Sequence, residues 1–141
     1  MKRRSFLQLA ASQLAIGPVG LGVLQACTPP PPEDWRPLAL RAATYFPQED
    51  LESARVVGAR FLDAVGREEA SLEAELSATL EALRSSAPEA DREAWRDRIA
   101  RDFEALDTRD VGGWVFAATE CHLAALVAMF ELRAADLEPP A

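Results

Sequence analysis

Trp114-Val115-Phe116-Ala117-Ala118-Thr119-Glu120-Cys121-His122-Leu123-Ala124-Ala125-Leu126-Val127-Ala128-Met129-Phe130 is the stretch on which the fold turns. Only Glu120 in it carries a formal charge, and apolar residues occupy every direction around a 3.6-residue repeat, so a helix here has no broad polar face. Such a helix belongs in the middle of a protein or of a bilayer. The run is shorter than the ~20 residues a bilayer requires and holds Glu120 and His122, which favours a protein core. The expected core helix begins after Gly112-Gly113 and runs to about Arg133.

Working back toward the N-terminus, four more helices are expected. Asp91 to Leu106 places Trp95, Ile99, Phe103 and Leu106 on one stripe, with Arg92, Glu93, Arg96 and Asp97 on the wet side. Ser71 to Arg84 carries Leu72, Leu76, Leu80 and Leu83 at spacings of four, four and three, and Ser85-Ser86-Ala87-Pro88 breaks it. Asp50, a candidate N-cap, opens a helix to Val65 that buries Leu51, Ala54, Gly58, Leu62 and Val65 and stops at Gly66. A short helix, Leu38 to Tyr45, ends before Pro47. No Asn-Gly or Asp-Gly hairpin signal interrupts the series. The reading is all-α: a bundle of about five helices around an apolar C-terminal helix, spanning residues 37–141.

Residues 1–26 read differently. Lys2-Arg3-Arg4-Ser5-Phe6-Leu7-Gln8 precedes an apolar stretch diluted by Ser12, Gln13, Gly17, Gly20 and Gly22, the charged-then-apolar layout of an export signal. It resembles the twin-arginine signal, R-R-x-F-L-K, through Arg3, Arg4, Phe6 and Leu7, with Gln8 in the place of Lys. That resemblance implies transient contact with the twin-arginine translocase and export in a folded state. Leu24-Gln25-Ala26-Cys27 resembles a bacterial lipobox, which implies a diacylglycerol on Cys27 and a lipid anchor to a membrane. Cleavage near Ala26 to a soluble periplasmic form is the alternative. The glycines and polar residues make the segment a poor permanent span. Residues 27–36, with Pro29 to Pro32, read as a stiff extended tether.

Beyond the signal the chain carries 12 basic and 23 acidic residues, a formal net charge of −11. This field repels phosphate backbones and anionic headgroups, which excludes nucleic acid as a partner and electrostatic docking to a membrane. Lys2 is the only lysine, so the exported part has no lysine for a Schiff base.

Glu120, Cys121 and His122 are ligand types, but consecutive helical residues diverge by about 100° and converge only with neighbours three or four apart. His122 finds Ala118, Thr119, Ala125 and Leu126 at those offsets. No metal, cofactor or catalytic constellation is expected, and Cys121 reads as a buried thiol with no cation at helical spacing to activate it. Carboxylate catalysis from Asp102, Asp107 or Asp110 stays open because acidic residues are abundant.

Asp102-Phe103 and Thr108 to Glu120 (T-R-D-V-G-G-W-V-F-A-A-T-E) resemble the C-terminal half of a group of small twin-arginine-exported bacterial proteins of uncharacterised function. In these, D-F is followed by V-x-D-G-W, a serine, T-E and an Ala/Leu-rich helix. Phe103, Val111, Gly113, Trp114, Thr119, Glu120 and Leu123 match; Gly112 stands where the pattern has Asp, and Ala117 where it has Ser. The glycines permit positive φ and Trp114 caps the core in one reading; in another, Trp114, Asp107 and Asp110 form a docking surface for a partner. Arg55-Val56-Val57-Gly58-Ala59-Arg60-Phe61-Leu62 is similar to a helix in the small subunits of periplasmic flavin-dependent sugar and polyol dehydrogenases. Those subunits escort a cofactor-bearing catalytic subunit.

The expected function is therefore an exported, membrane-tethered accessory or escort subunit, non-catalytic by itself, binding a larger exported protein such as an oxidoreductase. A stand-alone envelope lipoprotein with a structural role is the alternative. A small hydrolase or redox protein using His122 or Cys121 is the third reading.

Overall fold

The computed structural model describes residues 30–66, 69–87 and 91–139. The export motif at Arg3, Arg4, Phe6 and Leu7 and the lipidation candidate Cys27 lie outside the described residues. Five α-helices and one two-stranded antiparallel sheet follow in order: α1 (Arg36–Ala43), α2 (Leu51–Val65), α3 (Glu69–Ser85), α4 (Asp91–Glu104), β1 (Thr108–Val111), β2 (Trp114–Ala117) and α5 (Ala118–Met129). The fold is mostly helical, and the hairpin corrects the all-α expectation.

α5 is the hub. Every residue from Ala118 to Val127 except Glu120 is buried, and all four other helices pack against it. Its closest neighbour is α2, through small residues. A Cβ on Gly58 would stand 2.0 Å from the Ala124 carbonyl oxygen, so only glycine lets the two backbones meet there. Ala54 of α2 and Cys121, Ala124 and Ala125 of α5 are all buried.

α3 presents Leu72, Leu76, Leu80 and Leu83 to the core as its spacing requires. Its C-terminal carbonyls are served by α1: the Arg41 guanidinium donates to the Leu83 carbonyl, to the Ser86 carbonyl at 2.6 Å and to Ser86 Oγ at 2.9 Å. α1 itself begins at Arg36, two residues before the sequence reading, because Pro37 fits the first turn of a helix, where an N–H is not needed. Trp35, within the stretch read as tether, is buried in the core.

Asp50 occupies the position before α2, but its side chain makes no capping bond. It is buried at the end of a 3₁₀ turn, Gln48–Asp50.

The region between α4 and α5 departs furthest from expectation. α4 stops at Glu104 because the chain turns left-handed at Leu106 (φ 57°). The Asp107 N–H reaches the Asp102 carbonyl and the Leu106 N–H the Phe103 carbonyl, the paired bonds of a Schellman ending. Trp114 to Ala117, expected as the first helical turn, instead pair with β1 in the register Thr108↔Ala117 and Val111↔Trp114. Gly112 (φ 62°) and Gly113 (φ 85°) supply the two positive φ angles of a two-residue hairpin turn. Among the described residues no helix is long and apolar enough to cross a membrane.

Candidate functional site

Two features of the α3–hairpin–α5 region carry chemistry: a chain of polar side chains that starts in the core, and an uncovered apolar end. His122 is buried in α5, and its ring edge faces α3. Its Nδ1 lies 2.9 Å from Thr79 Oγ1 and its Nε2 lies 3.1 Å from Glu75 Oε1. An ionised carboxylate only accepts, so the neutral ring carries its proton on Nε2 and donates it to Glu75; Nδ1 then accepts the Thr79 hydroxyl. Thr79 and Glu75 are one turn apart on α3, the spacing that lets both meet a single ring.

Glu75 is shared. Its Oε1 also accepts from Arg109 Nε of β1 at 2.9 Å, with Nη2 at an ion-pair distance of 2.9 Å, while Arg109 Nη1 donates to Asp107 Oδ1 at 2.8 Å. The chain Thr79, His122, Glu75, Arg109, Asp107 thus leads from a fully buried hydroxyl to an exposed carboxylate and ties α3, α5 and the hairpin together.

Electrostatics follow from this geometry. Burial draws the His122 pKa below the usual imidazole value, and the pull of Glu75 toward the charged ring does not overcome it. Burial alone would raise Glu75, but hydrogen bonds from His122 and Arg109 and their charges hold its carboxyl below the ordinary carboxylate value. Asp107 first, then Glu75, raise Arg109. Burial, with Glu120 adding to it, pushes the Cys121 thiol up to about 12.

The arrangement superficially matches a nucleophile, a histidine and a carboxylate, but Thr79 is only 1% exposed, so no substrate reaches its hydroxyl. No group of three or more His, Cys, Asp or Glu side chains among the described residues is placed to hold a metal ion. The acidic residues left open by sequence each have a structural task. Asp102 Oδ2 accepts the Thr119 N–H at 2.8 Å and serves the free start of α5, Asp107 pairs with Arg109, and Asp110 Oδ1 accepts the Gly113 N–H at 2.9 Å.

The second feature is apolar. Trp95 and Ile99 are buried as the α4 stripe predicts, but its lower half is not: Phe103 is 38% exposed and Leu106 84%. Val115, on the outer face of the hairpin opposite Asp110, is 51% exposed. Among the described residues these are the exposed large apolar side chains: Phe103 and Leu106 sit where α4 ends, and Val115 lies on β2 near the hairpin turn. Trp114, the sequence's candidate anchor, is half-buried and packs against the core instead.

An open groove of about 470 Å³ is lined by Leu51, Glu52 and Arg55 of α2 and by Leu132 and Arg133. Arg55 is engaged by Glu52 at 2.7 Å.

Sequence reasoning placed His122 and Asp107 but not Glu75, Thr79 or Arg109 as their partners, because the contacts cross 34 to 47 positions. The one usable signal was Glu75 and Thr79 at a four-residue interval on α3, beside a helix bearing the chain's only histidine. No protein-family model, curated protein or solved structure matches the chain.

Proposed function

We propose that the chain is an exported, lipid-tethered accessory protein that works by binding a partner protein, such as an exported oxidoreductase, through the end where α4 meets the hairpin. The observation that carries this reading is Leu106: an exposed leucine held in a left-handed conformation where glycine is the usual residue. A leucine there gives up backbone stability and gains no burial in the monomer. Its apolar side chain, with the exposed Phe103 three residues before it, is suited to burial against another protein.

Three further observations support the reading. The Arg3-Arg4 motif and Cys27 supply the export route and the tether. The net charge of −11 beyond the signal disfavours nucleic acid and acidic membranes. At the buried end of the polar network His122 and Thr79 satisfy one another and Glu75. Asp107 follows Leu106 and Asp110 pairs with Val115 across the hairpin, and both suit a partner with basic groups, although both also brace the hairpin.

The test has two parts. Membrane fractions should hold the chain with an acyl mass on Cys27, and replacing Arg3 and Arg4 by Lys should strand it in the cytoplasm. A tagged chain should retain a partner after detergent extraction, and Leu106→Gly with Val115→Thr should release that partner without unfolding the chain. Retention undiminished by the double substitution would remove this surface from the reading, and an acyl-free, cytoplasmic chain would remove the tether.

A further inference from the structure

The ion pair between the hairpin and α3 converges on one shared atom. Glu75 Oε1 receives N–H groups from His122 Nε2 and Arg109 Nε and has Arg109 Nη2 at ion-pair distance, and Arg109 alone of these donors has a second carboxylate, Asp107, already at 2.8 Å. Thr79 Oγ1 donates to the one ring nitrogen that is unprotonated in the neutral ring. A proton added at Nδ1 therefore has two consequences. The Thr79 hydroxyl loses its acceptor and must turn, and a second cation, the imidazolium, now competes with Arg109 for the same oxygen.

We propose that His122 is the sensor of an acid-responsive latch: protonation of its ring shifts Arg109 from Glu75 onto Asp107 and loosens the β1–β2 hairpin from α3. The imidazolium cannot move away, because its ring is packed in the core with Phe61 at 5.8 Å, whereas Arg109 lies at the surface on a four-residue strand. Arg109 is also the cation with somewhere else to go. Its departure removes the ion pair between β1 and α3.

Charged groups from every packed element are compatible with this. From α3 the ring meets Glu75; from the hairpin, Arg109 and Asp107. On α5 itself Glu120 and the thiol of Cys121 are its sequence neighbours. α2 contributes the uncharged Phe61 ring. α4 sends Arg98 and Asp102 to Thr119, one turn away, and the α1 cations Arg36 and Arg41 are engaged at Phe130 and at the end of α3. Burial keeps the ring neutral near pH 7 and Glu75 stays ionised at lower pH than an ordinary carboxylate. The latch works over the pH range in which the ring takes up its proton and its carboxylate partner is still charged.

The latch does not depend on what docks at the hairpin, and it is tested without a partner. His122 is the only histidine, so its imidazole signals in NMR spectra of the full chain assign themselves. The expected result is an Nε2–H tautomer at neutral pH and a titration midpoint below 6.5. Over the same pH range, amide exchange from Arg109 to Phe116, corrected for intrinsic rates, should accelerate about tenfold, the size of losing one charge-assisted hydrogen bond. Amides of α2 and α5 should not follow. His122→Gln, which keeps a donor and an acceptor but does not titrate, should abolish the acceleration. Asp107→Asn, a surface change that removes the alternative carboxylate, should blunt it even if the first variant folds poorly. A midpoint at or above 6.5, an acceleration shared by all helices, or an unchanged response in Asp107→Asn would overturn the latch.

Discussion

Cys121 shows how burial, not composition, decides the chemistry of a residue. The thiol is fully buried in α5, and desolvation with Glu120 beside it pushes it up to about 12, so essentially none is thiolate at neutral pH. We expect no reaction with a disulfide reagent in the folded chain and full reaction after denaturation, read by thiol absorbance. The same desolvation acts on His122 with the opposite sign, because there the charged form is the protonated one. A folded-state value below the free imidazole's 6.5 means that the unfolded chain binds the proton more readily. The stability owed to His122 is thus complete above pH 6.5 and is lost as pH falls through its folded value. Glu75, lowered from 4.5, adds a second loss of the same sign at lower pH. Urea midpoints measured from pH 7.5 to 2 should fall with acid, first through the His122 contribution and then, below pH 4.5, through that of Glu75, and His122→Gln should remove the first while leaving the second.

At the scale of elements, the contact between α2 and α5 is the least forgiving. Gly58→Ala sets a methyl 2.0 Å from a backbone oxygen that no rotamer change can move, so the helices must separate. We expect a loss of about 3 kcal/mol, or a fall in Tm of roughly 10–20 °C for a domain of this size, measurable by circular dichroism. Leu106→Gly should do the reverse. It relieves a left-handed leucine that is almost fully exposed, and a gain of about 0.5–1 kcal/mol is expected after the greater freedom of glycine in the unfolded chain is set against it. The helices themselves were legible in the sequence because Leu72, Leu76, Leu80 and Leu83, or Trp95 and Ile99, repeat with the helical period and are buried accordingly. The hairpin was legible too, but in Gly112-Gly113, a pair that serves the same turn as Asn-Gly, rather than in the two dipeptides taken as the signal. Val115 and Phe116 beside it then suit a strand as well as they suit a buried helix, and periodicity cannot separate the two in so short a run. The left-handed stop at Leu106 had no sequence signal, since the residue there is not glycine. The burial of Phe103 and Leu106 was overestimated for that reason: their stripe continues past the point where the helix stops covering it.

For the whole molecule, the arrangement of stability and exposure matters more than either alone. The apolar hub α5 is enclosed by four helices, whereas the hairpin that precedes it is two strands of four residues that bury Val111, Phe116 and Ala117 and are tied to α3 by the Glu75–Arg109 ion pair. Local opening free energies in such a fold should be graded, highest in α2 and α5 and lowest in the hairpin. If the α4–hairpin end is where a partner sits, evolution toward a stable monomer and toward binding pull apart at the same residue. Leu106→Gly is the substitution that separates them. It is expected to raise the urea midpoint of the isolated chain while weakening its retention of a partner by roughly tenfold or more, the usual consequence of deleting a buried apolar anchor. Both quantities are to be measured on one preparation, with Phe103→Ser as a comparison that removes an apolar group without relieving backbone strain. A midpoint that rises with retention unchanged would show that Leu106 is tolerated strain with no partner to justify it. Loss of both together would show that the left-handed turn needs its leucine for folding. Only opposite movement of the two supports a surface kept apolar for a second protein.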